Sequence, residues 1–311
     1  MKSITVNQRT PSKWMLLSIA QSIIYLFGVP IICRKYWDTL FGSLSNEVAE
    51  WLLTTATPIT FYLAFTIAML PIYWIQHPFF EQFKIQYNKT WPWLDKSKCV
   101  RRDFWTLSFR SVKLTTVNLF IMLPIMVAAQ IWLSKITGTE DPSAFMTDDD
   151  HWPTLTKNFQ DIFSLCILHE FGFYMTHKMM HVYPSLYKYH KIHHEYKANT
   201  TLASQHNHPI DFALSIGGPF LLDAIIVKPH SSTLFQFTLW IMWANLDDHV
   251  GYSFPWSPIR WFPFSAATDE HEFHHSKNMG CYGSKLSIFN SLFGGSKHYC
   301  EYKGKQEGKS I

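Results

Sequence analysis

The chain predicts an all-α, multi-span integral membrane protein with a histidine-rich cap, and three observations carry that prediction. Long apolar blocks without charge recur along the first half, the polar loops between them alternate in sign, and histidine clusters with helical spacing follow. Composition agrees. Aromatic residues make up 17% of the 311 positions and charged ones 16%, below the roughly 25% of an ordinary soluble domain.

Residues 1–13 carry Lys2, Arg9 and Lys13 and no acid, and Trp14 to Cys33 then runs uncharged for long enough to cross a bilayer. That run is long for a cleavable leader and no small-x-small site follows, so an uncleaved span is expected. Residues 34–50 are mixed and slightly acidic. The block from Trp51 to Phe80 contains Pro58 and Pro71, which predicts a kinked or tilted span. A basic loop follows, with Lys84, Lys89, Lys96, Lys98, Arg101, Arg102, Arg110 and Lys113. After a third apolar block, Leu114 to Ser134, the sign reverses at Glu140, Asp141, Asp148, Asp149 and Asp150. A fourth segment, Ile162 to Thr176, leads into the histidines.

This alternation places the N-terminus, the 81–113 loop and the histidine clusters in the cytosol, and the loops at 34–50 and 135–160 in the lumen. The sequons at Asn88 and Asn199 are then expected to stay unglycosylated. Beyond His208, the short apolar segments 212–227 and 234–246 predict a hairpin or re-entrant pair that returns His249 to the same side. The expected organisation is therefore 1–158 for membrane spans and loops, 159–300 for the unit bearing the chemistry, and 301–311 for a polar tail. A net charge of +4 concentrated in a few loops reads as membrane orientation, with no nucleic-acid partner. Five scattered cysteines without C-x-x-C suggest neither a disulfide framework nor a thiolate zinc site.

His177 and His181 are spaced i, i+4. His190, His193 and His194 form H-x-x-H-H, and His271, His274 and His275 repeat it. On a helix such positions share a face, so each run is expected to aim its imidazoles at one point. With the flanking His208 and His249 these make ten candidate ligands, more than one ion can use, and they predict a dinuclear site. Glu170, Asp211, Asp247, Asp248 and Asp269 are candidate acceptors for the ligands' outer N–H groups. His169, two helical turns before His177, is a candidate pocket residue. So are Trp243 and Asn245 on the hairpin, and Tyr252, Phe254 and Trp256 in the stretch from Gly251 to Trp256.

The string HKMMH…HKIHHEY…NHPID…DDHVGYSFPWSP…HEFHH…SLFGG, over roughly residues 160–300, resembles the fatty acid hydroxylase/sterol desaturase superfamily of membrane di-iron enzymes. Its HPID and GYSFPW elements are most similar to the C-4 methylsterol oxidase and cholesterol 25-hydroxylase branch. The resemblance implies two Fe ions on His177, His181, His190, His193, His194, His208, His249, His271, His274 and His275. It also implies O2-dependent attack on a C–H bond of a lipid, most simply a sterol. Electrons would come from NAD(P)H through a reductase or cytochrome b5 at the endoplasmic reticulum membrane. The chain departs from the common pattern at Lys178 and at Ser291-Leu292-Phe293-Gly294. A rival reading of another class takes His271-Glu272-Phe273-His274-His275 as the H-E-x-x-H of an intramembrane zinc protease, with Glu272 activating water.

Overall fold

The computed structural model describes residues 12–138, 151–261, 265, 268–306 and 308. The acidic run from Glu140 to Asp150 and the polar residues 1–11 lie outside the described residues. Within them the chain is helical apart from connecting loops and two isolated bridges, Lys84 with Tyr252 and Ser265 with Leu286.

Four helices are long and apolar enough to cross a membrane: α1 (Trp14–Phe41), α2 (Asn46–Ile75), α3 (Lys98–Thr137) and α6 (Pro209–Val227). Between α3 and α6 run α4 (Leu155–Val182) and α5 (Pro184–His190); after them come α7 (Ser231–His249), α8 (Thr268–Lys277), α9 (Ile288–Leu292) and α10 (Lys297–Gln306). The set differs from expectation in its fourth member. The helix holding residues 162–176 buries Asn158, Asp161, His169 and Glu170 along its length. The first limb of the expected hairpin takes its place among the four.

Each end has a local cause. Ser45 accepts the N–H of Val48 at the start of α2, and Gln76 at its end adopts a left-handed φ of 50° just before Pro78. That pair stops the second span at Ile75 rather than Phe80. Thr154 caps α4, and Pro184 closes it. Three spans widen locally into π-helix, at Ile24–Gly28, Asn118–Met122 and Phe212–Gly217. In each case proline stands two residues further on, as Pro30, Pro124 and Pro219. Proline cannot donate to the carbonyl four residues back and its ring crowds that carbonyl, so the turn upstream opens.

Packing joins the hairpin to the spans. Tyr62, Leu119, Leu123, Val127, Phe212, Met242 and Leu246 form one buried cluster between α2, α3, α6 and α7. Ile162, Leu165, Ala224, Leu234 and Phe237 form a second between α4, α6 and α7. A side chain at Gly172 would put its Cβ 3.2 Å from Pro219, so glycine lets α4 and α6 approach. A polar clamp crosses the apolar layer: Asn158 donates to Gln236 at 2.8 Å, Thr233 to Asn158 at 2.6 Å, and Tyr25 to the Gln236 carbonyl at 2.9 Å. Such bonds satisfy polar groups that water cannot reach. Outward, Leu16, Ile24, Ile31, Ile67, Trp74, Phe120, Ile125 and Trp132 are exposed along α1, α2 and α3 and make an apolar belt suited to lipid.

The cap closes one end of this bundle. Gly251 ends α7 at φ +73°, where any Cβ would meet the Asn199 carbonyl at 2.5 Å. The chain turns there and pairs with the basic loop, Ile85 N–H to the Gly251 carbonyl at 3.1 Å and Ser253 N–H to that of Phe83 at 2.8 Å. Arg110 meets Glu195 at 2.6 Å. The basic residues and the histidine-bearing segments therefore share one end of the molecule.

Candidate metal centre

Nine of the ten expected histidines converge in two adjoining groups, His177, His181, His190, His194 and His274 in one, and His193, His249, His271 and His275 in the other. Within each group the ligand nitrogens lie within 4.8 Å of one another. All except His181 are buried. The C-terminal end of α4 delivers His177 and His181, the end of α5 delivers His190, and the 3-10 turn His193–Glu195 adds the next pair. The last turn of α7 gives His249, and α8 gives the remaining three.

Neither H-x-x-H-H run points at a single place. His190 and His194 enter the five-membered group while His193 enters the other. His271 and His275 enter the four-membered group while His274 crosses to the first. In α8 residues i and i+4 differ by about 40° around the helix, whereas i+3 lies about 60° to the other side of i, so the outer pair diverges from the inner member; the first run is split where α5 ends at His190 and a 3-10 turn begins at His193. The two runs thus exchange one histidine each, which stitches the groups together. Ring centroids of His194 and His275, from opposite groups, are 4.7 Å apart.

The outer ring nitrogens show what the inner ones can do. His177 Nδ1–H donates to the Tyr282 carbonyl at 2.8 Å, His274 to Gly280 at 2.6 Å, and His249 to Asn245 at 2.7 Å; His190 meets the Asp211 carboxylate at 2.9 Å. A carbonyl only accepts, so the proton is on Nδ1 and the neutral ring presents a bare lone pair at Nε2. Yet Nε2 of His177 stands 3.0 Å from that of His190 and 3.1 Å from that of His274. Lone pairs cannot hydrogen-bond to each other, and a cation is needed between them. A proton is disfavoured there. Burial, with neighbouring histidines adding to it, holds His177 down to about 3 and His193, His194, His271, His274 and His275 well below the ordinary imidazole range. Neutral, inward-facing imidazoles suit iron, zinc, copper or nickel, and the residues present fit two such ions.

His208 stands apart. Its Nδ1 accepts the N–H of Ile210 at 3.2 Å as the cap of α6, and its ring lies 4.7 Å from that of Tyr189. We expect His208→Ala to keep both metals and to cost about 1 kcal/mol as a lost cap; metal analysis of the purified variant checks this, and loss of an ion would return His208 to the ligand set.

Of the expected carboxylate supports only Asp211 reaches a clustered ring. Asp247 and Asp248 instead hold the buried Lys285 at 3.2 and 2.5 Å. Glu170 accepts the Lys285 N–H at 2.9 Å, and Asp269 pairs with Lys303 at 2.9 Å. Backbone carbonyls of Tyr282, Gly280 and Asn245 do the orienting that acids were expected to do, and no side-chain pattern announces a carbonyl. A cavity adjoins the centre, lined by His169, Asn245 and the apolar Phe173, Ile216, Phe237, Trp240 and Ile241. Trp243 is not there; it packs against Phe61 and Phe65 of α2. Tyr252, Phe254 and Trp256 lie elsewhere too. After the turn at Gly251 they stack with one another and with Tyr73 and Phe79. Asp223, 2.9 Å from the cavity-lining His169, is a further residue that spacing did not suggest.

Glu272 faces away from both groups. Gln86 donates to its carboxyl, and it lines a separate cavity with Lys84, Lys89, Trp91 and Phe104. Burial raises that carboxyl to about 7. The water-activating role of an H-E-x-x-H glutamate needs it over the metal.

A family model described as fatty acid hydroxylase matches residues 162–295. Methylsterol monooxygenase 1 of Gallus gallus is 25% identical over 284 residues, covering 89% of this chain and 87% of that protein. Methylsterol monooxygenase 1 of Danio rerio is 26% identical over 281 residues, 87% of each. Very-long-chain aldehyde decarbonylase GL1-11 of Oryza sativa subsp. indica is 28% identical over 278 residues, 87% of this chain and 96% of that protein. No solved structure matches the chain.

Proposed function

Because the chain belongs to the fatty acid hydroxylase/sterol desaturase superfamily, close to its C-4 methylsterol oxidase branch, and is an oxidoreductase of that superfamily, we propose that it oxidises the C-4 methyl group of a sterol. The observation that carries this reading is the pair of histidine groups opening on one cavity with a hydrocarbon wall. Two iron ions on the nine histidines would supply dioxygen reduction and removal of hydrogen from the lipid, with electrons from NAD(P)H through a reductase or cytochrome b5.

The protein's own part is positional. Burial keeps the imidazoles neutral, the outer hydrogen bonds aim them, and Asp211 holds His190. Phe173, Ile216, Phe237, Trp240 and Ile241 pack the hydrocarbon and exclude water from the reacting carbon. As it stands the cavity measures about 50 Å³, room for the reacting end of a lipid, so the rest of the substrate displaces apolar side chains toward the bilayer. We assign the cap to the cytosolic side, because the basic loop lies at its end of the molecule, and the membrane to the endoplasmic reticulum. The unglycosylated state expected of Asn199 agrees with its burial at 1% exposure. We keep residues 159–300 as the catalytic unit, 1–158 as its membrane support and 301–311 as a tail.

The likeness to a plant aldehyde decarbonylase favours a second substrate class, a long-chain alkyl lipid. Sterol profiling by mass spectrometry separates the two, in cells that lack their own C-4 sterol oxidase and express the wild type or His275→Ala. Disappearance of 4-methyl sterols with the wild type alone is expected. A new side-chain hydroxysterol, or an unchanged sterol profile, would overturn the C-4 assignment. Glu272→Gln in the same cells is expected to retain both metals and oxidation, whereas a zinc protease would lose its activity with that change.

A further inference from the structure

The two histidine groups are held in different ways. In the five-membered group His177, His190 and His274 each bond through Nδ1 to a residue outside their own helix: Tyr282, Asp211 and Gly280. In the four-membered group Nδ1 of His193, His271 and His275 is buried with no partner among the described residues. His249 bonds to the Asn245 carbonyl one turn back on its own helix. Ring hydrogen bonds therefore do not set these four imidazoles against one another. Their spacing depends on how the end of α7, which carries His249, is fixed to α8, which carries His271 and His275.

Lys285 stands at that junction. It is 1% exposed, and its ammonium meets Asp248 Oδ1 at 2.5 Å and Asp247 Oδ2 at 3.2 Å, the two residues just before His249. The same Asp247 oxygen accepts from Thr268, the first residue of α8, at 3.1 Å, and Ser284 donates to the other Asp248 oxygen at 3.3 Å. The backbone beside the lysine is anchored separately. Its N–H reaches Glu170 of α4 at 2.9 Å, and Leu286 bridges to Ser265, just ahead of α8. Charges buried in this way hold their geometry firmly, since none can be left unpaired away from water.

We propose that Lys285 is the positioning residue of the four-membered group. Its ammonium joins the end of α7 to the entry of α8 and so sets His249 against His271 and His275. The proposal rests on the two-metal reading of the histidines. Replacing the lysine side chain removes the tie to Asp247 and Asp248. It leaves in place the backbone bond to Glu170, on the helix that delivers His177 and His181. The effect should therefore fall on one ion of the two.

The test is metal retention, read by chelator titration of the full-length protein loaded with Co2+ in lipid nanodiscs. Lys285→Met is expected to release one ion at about 10- to 100-fold lower chelator concentration, the range for loss of a ligand support, while the other ion stays within about threefold of wild type. In the His275→Ala background, where the five-membered group alone should hold an ion, adding Lys285→Met should change nothing beyond about threefold. A residue that merely stabilised the fold would weaken both ions and would act in that background too. Thr268→Val removes one bond of the same tie without changing shape, and it should weaken the same single ion by about tenfold. If the methionine variant does not fold, the valine variant decides alone. Two ions held as in the wild type in every variant that folds, or both ions weakened together, overturns the proposal. A wild type that binds fewer than two ions fails the two-metal reading and takes the proposal with it.

Discussion

Substitution of His275 by alanine should reduce bound metal from two ions to one and lower lipid oxidation by more than about a hundredfold, the upper end of what loss of a mere ligand support costs. His275 is one of only four imidazoles in its group, and it is fully buried with Nε2 3.1 Å from that of His249. Without it three nitrogens remain, and the space it leaves is buried in protein. The five-membered group has a ligand to spare, so His274→Ala should retain more metal than His275→Ala. Elemental analysis of both purified variants checks the pair. Two ions per chain in His275→Ala would mean that the four histidines do not form a metal site.

Asp211→Asn is the second large effect, expected to weaken metal retention by about 10- to 100-fold. Asp211 is 1% exposed; one carboxylate oxygen meets His190 Nδ1 at 2.9 Å and the other accepts from Ser215 at 2.8 Å. The negative charge makes His190 a stronger electron donor at Nε2 and fixes its tautomer. Asparagine preserves the shape and an acceptor while removing the charge. Titration with a chelator reads the change directly: the variant should give up metal at a correspondingly lower chelator concentration. An unchanged titration would reduce Asp211 to a structural cap of α6.

The sequence was most legible where its physics is strongest. Uncharged runs announced α1, α2 and α3 because a bilayer tolerates little else, and the clustered histidines announced metal because so many imidazoles in helical register have few other uses. The boundaries were harder. Arg34, Lys35 and Asp38 do not end α1, which continues to Phe41, and the second half of the basic loop forms the opening turns of α3. Charge marks the edge of a membrane more reliably than the end of a helix. The division of each H-x-x-H-H run between two groups was hidden, because spacing gives an angle on one helix and says nothing of what the neighbouring helices offer. Backbone acceptors at Tyr282 and Gly280 were invisible for the same reason, being set by the path of the chain. The aromatic stretch at Tyr252 to Trp256 misled because its composition suits a lipid pocket and an aromatic anchor equally.

The exchange of His193 and His274 between the two groups bears on how the molecule is made. His177 and His274, partners in the five-membered group, are separated by 97 positions in the chain, and the carbonyls that orient them belong to Tyr282 and Gly280. A nascent chain stalled after α7 has His190, His193 and His194 in hand but no member of α8. The four-membered group then holds two ligands and the five-membered group four, and the five-membered group lacks the carbonyls of Gly280 and Tyr282. The centre is therefore completed only after the ribosome has delivered residue 282. Any metal held by the complete ligand set would therefore enter after α8 and the loop to Tyr282 have been made.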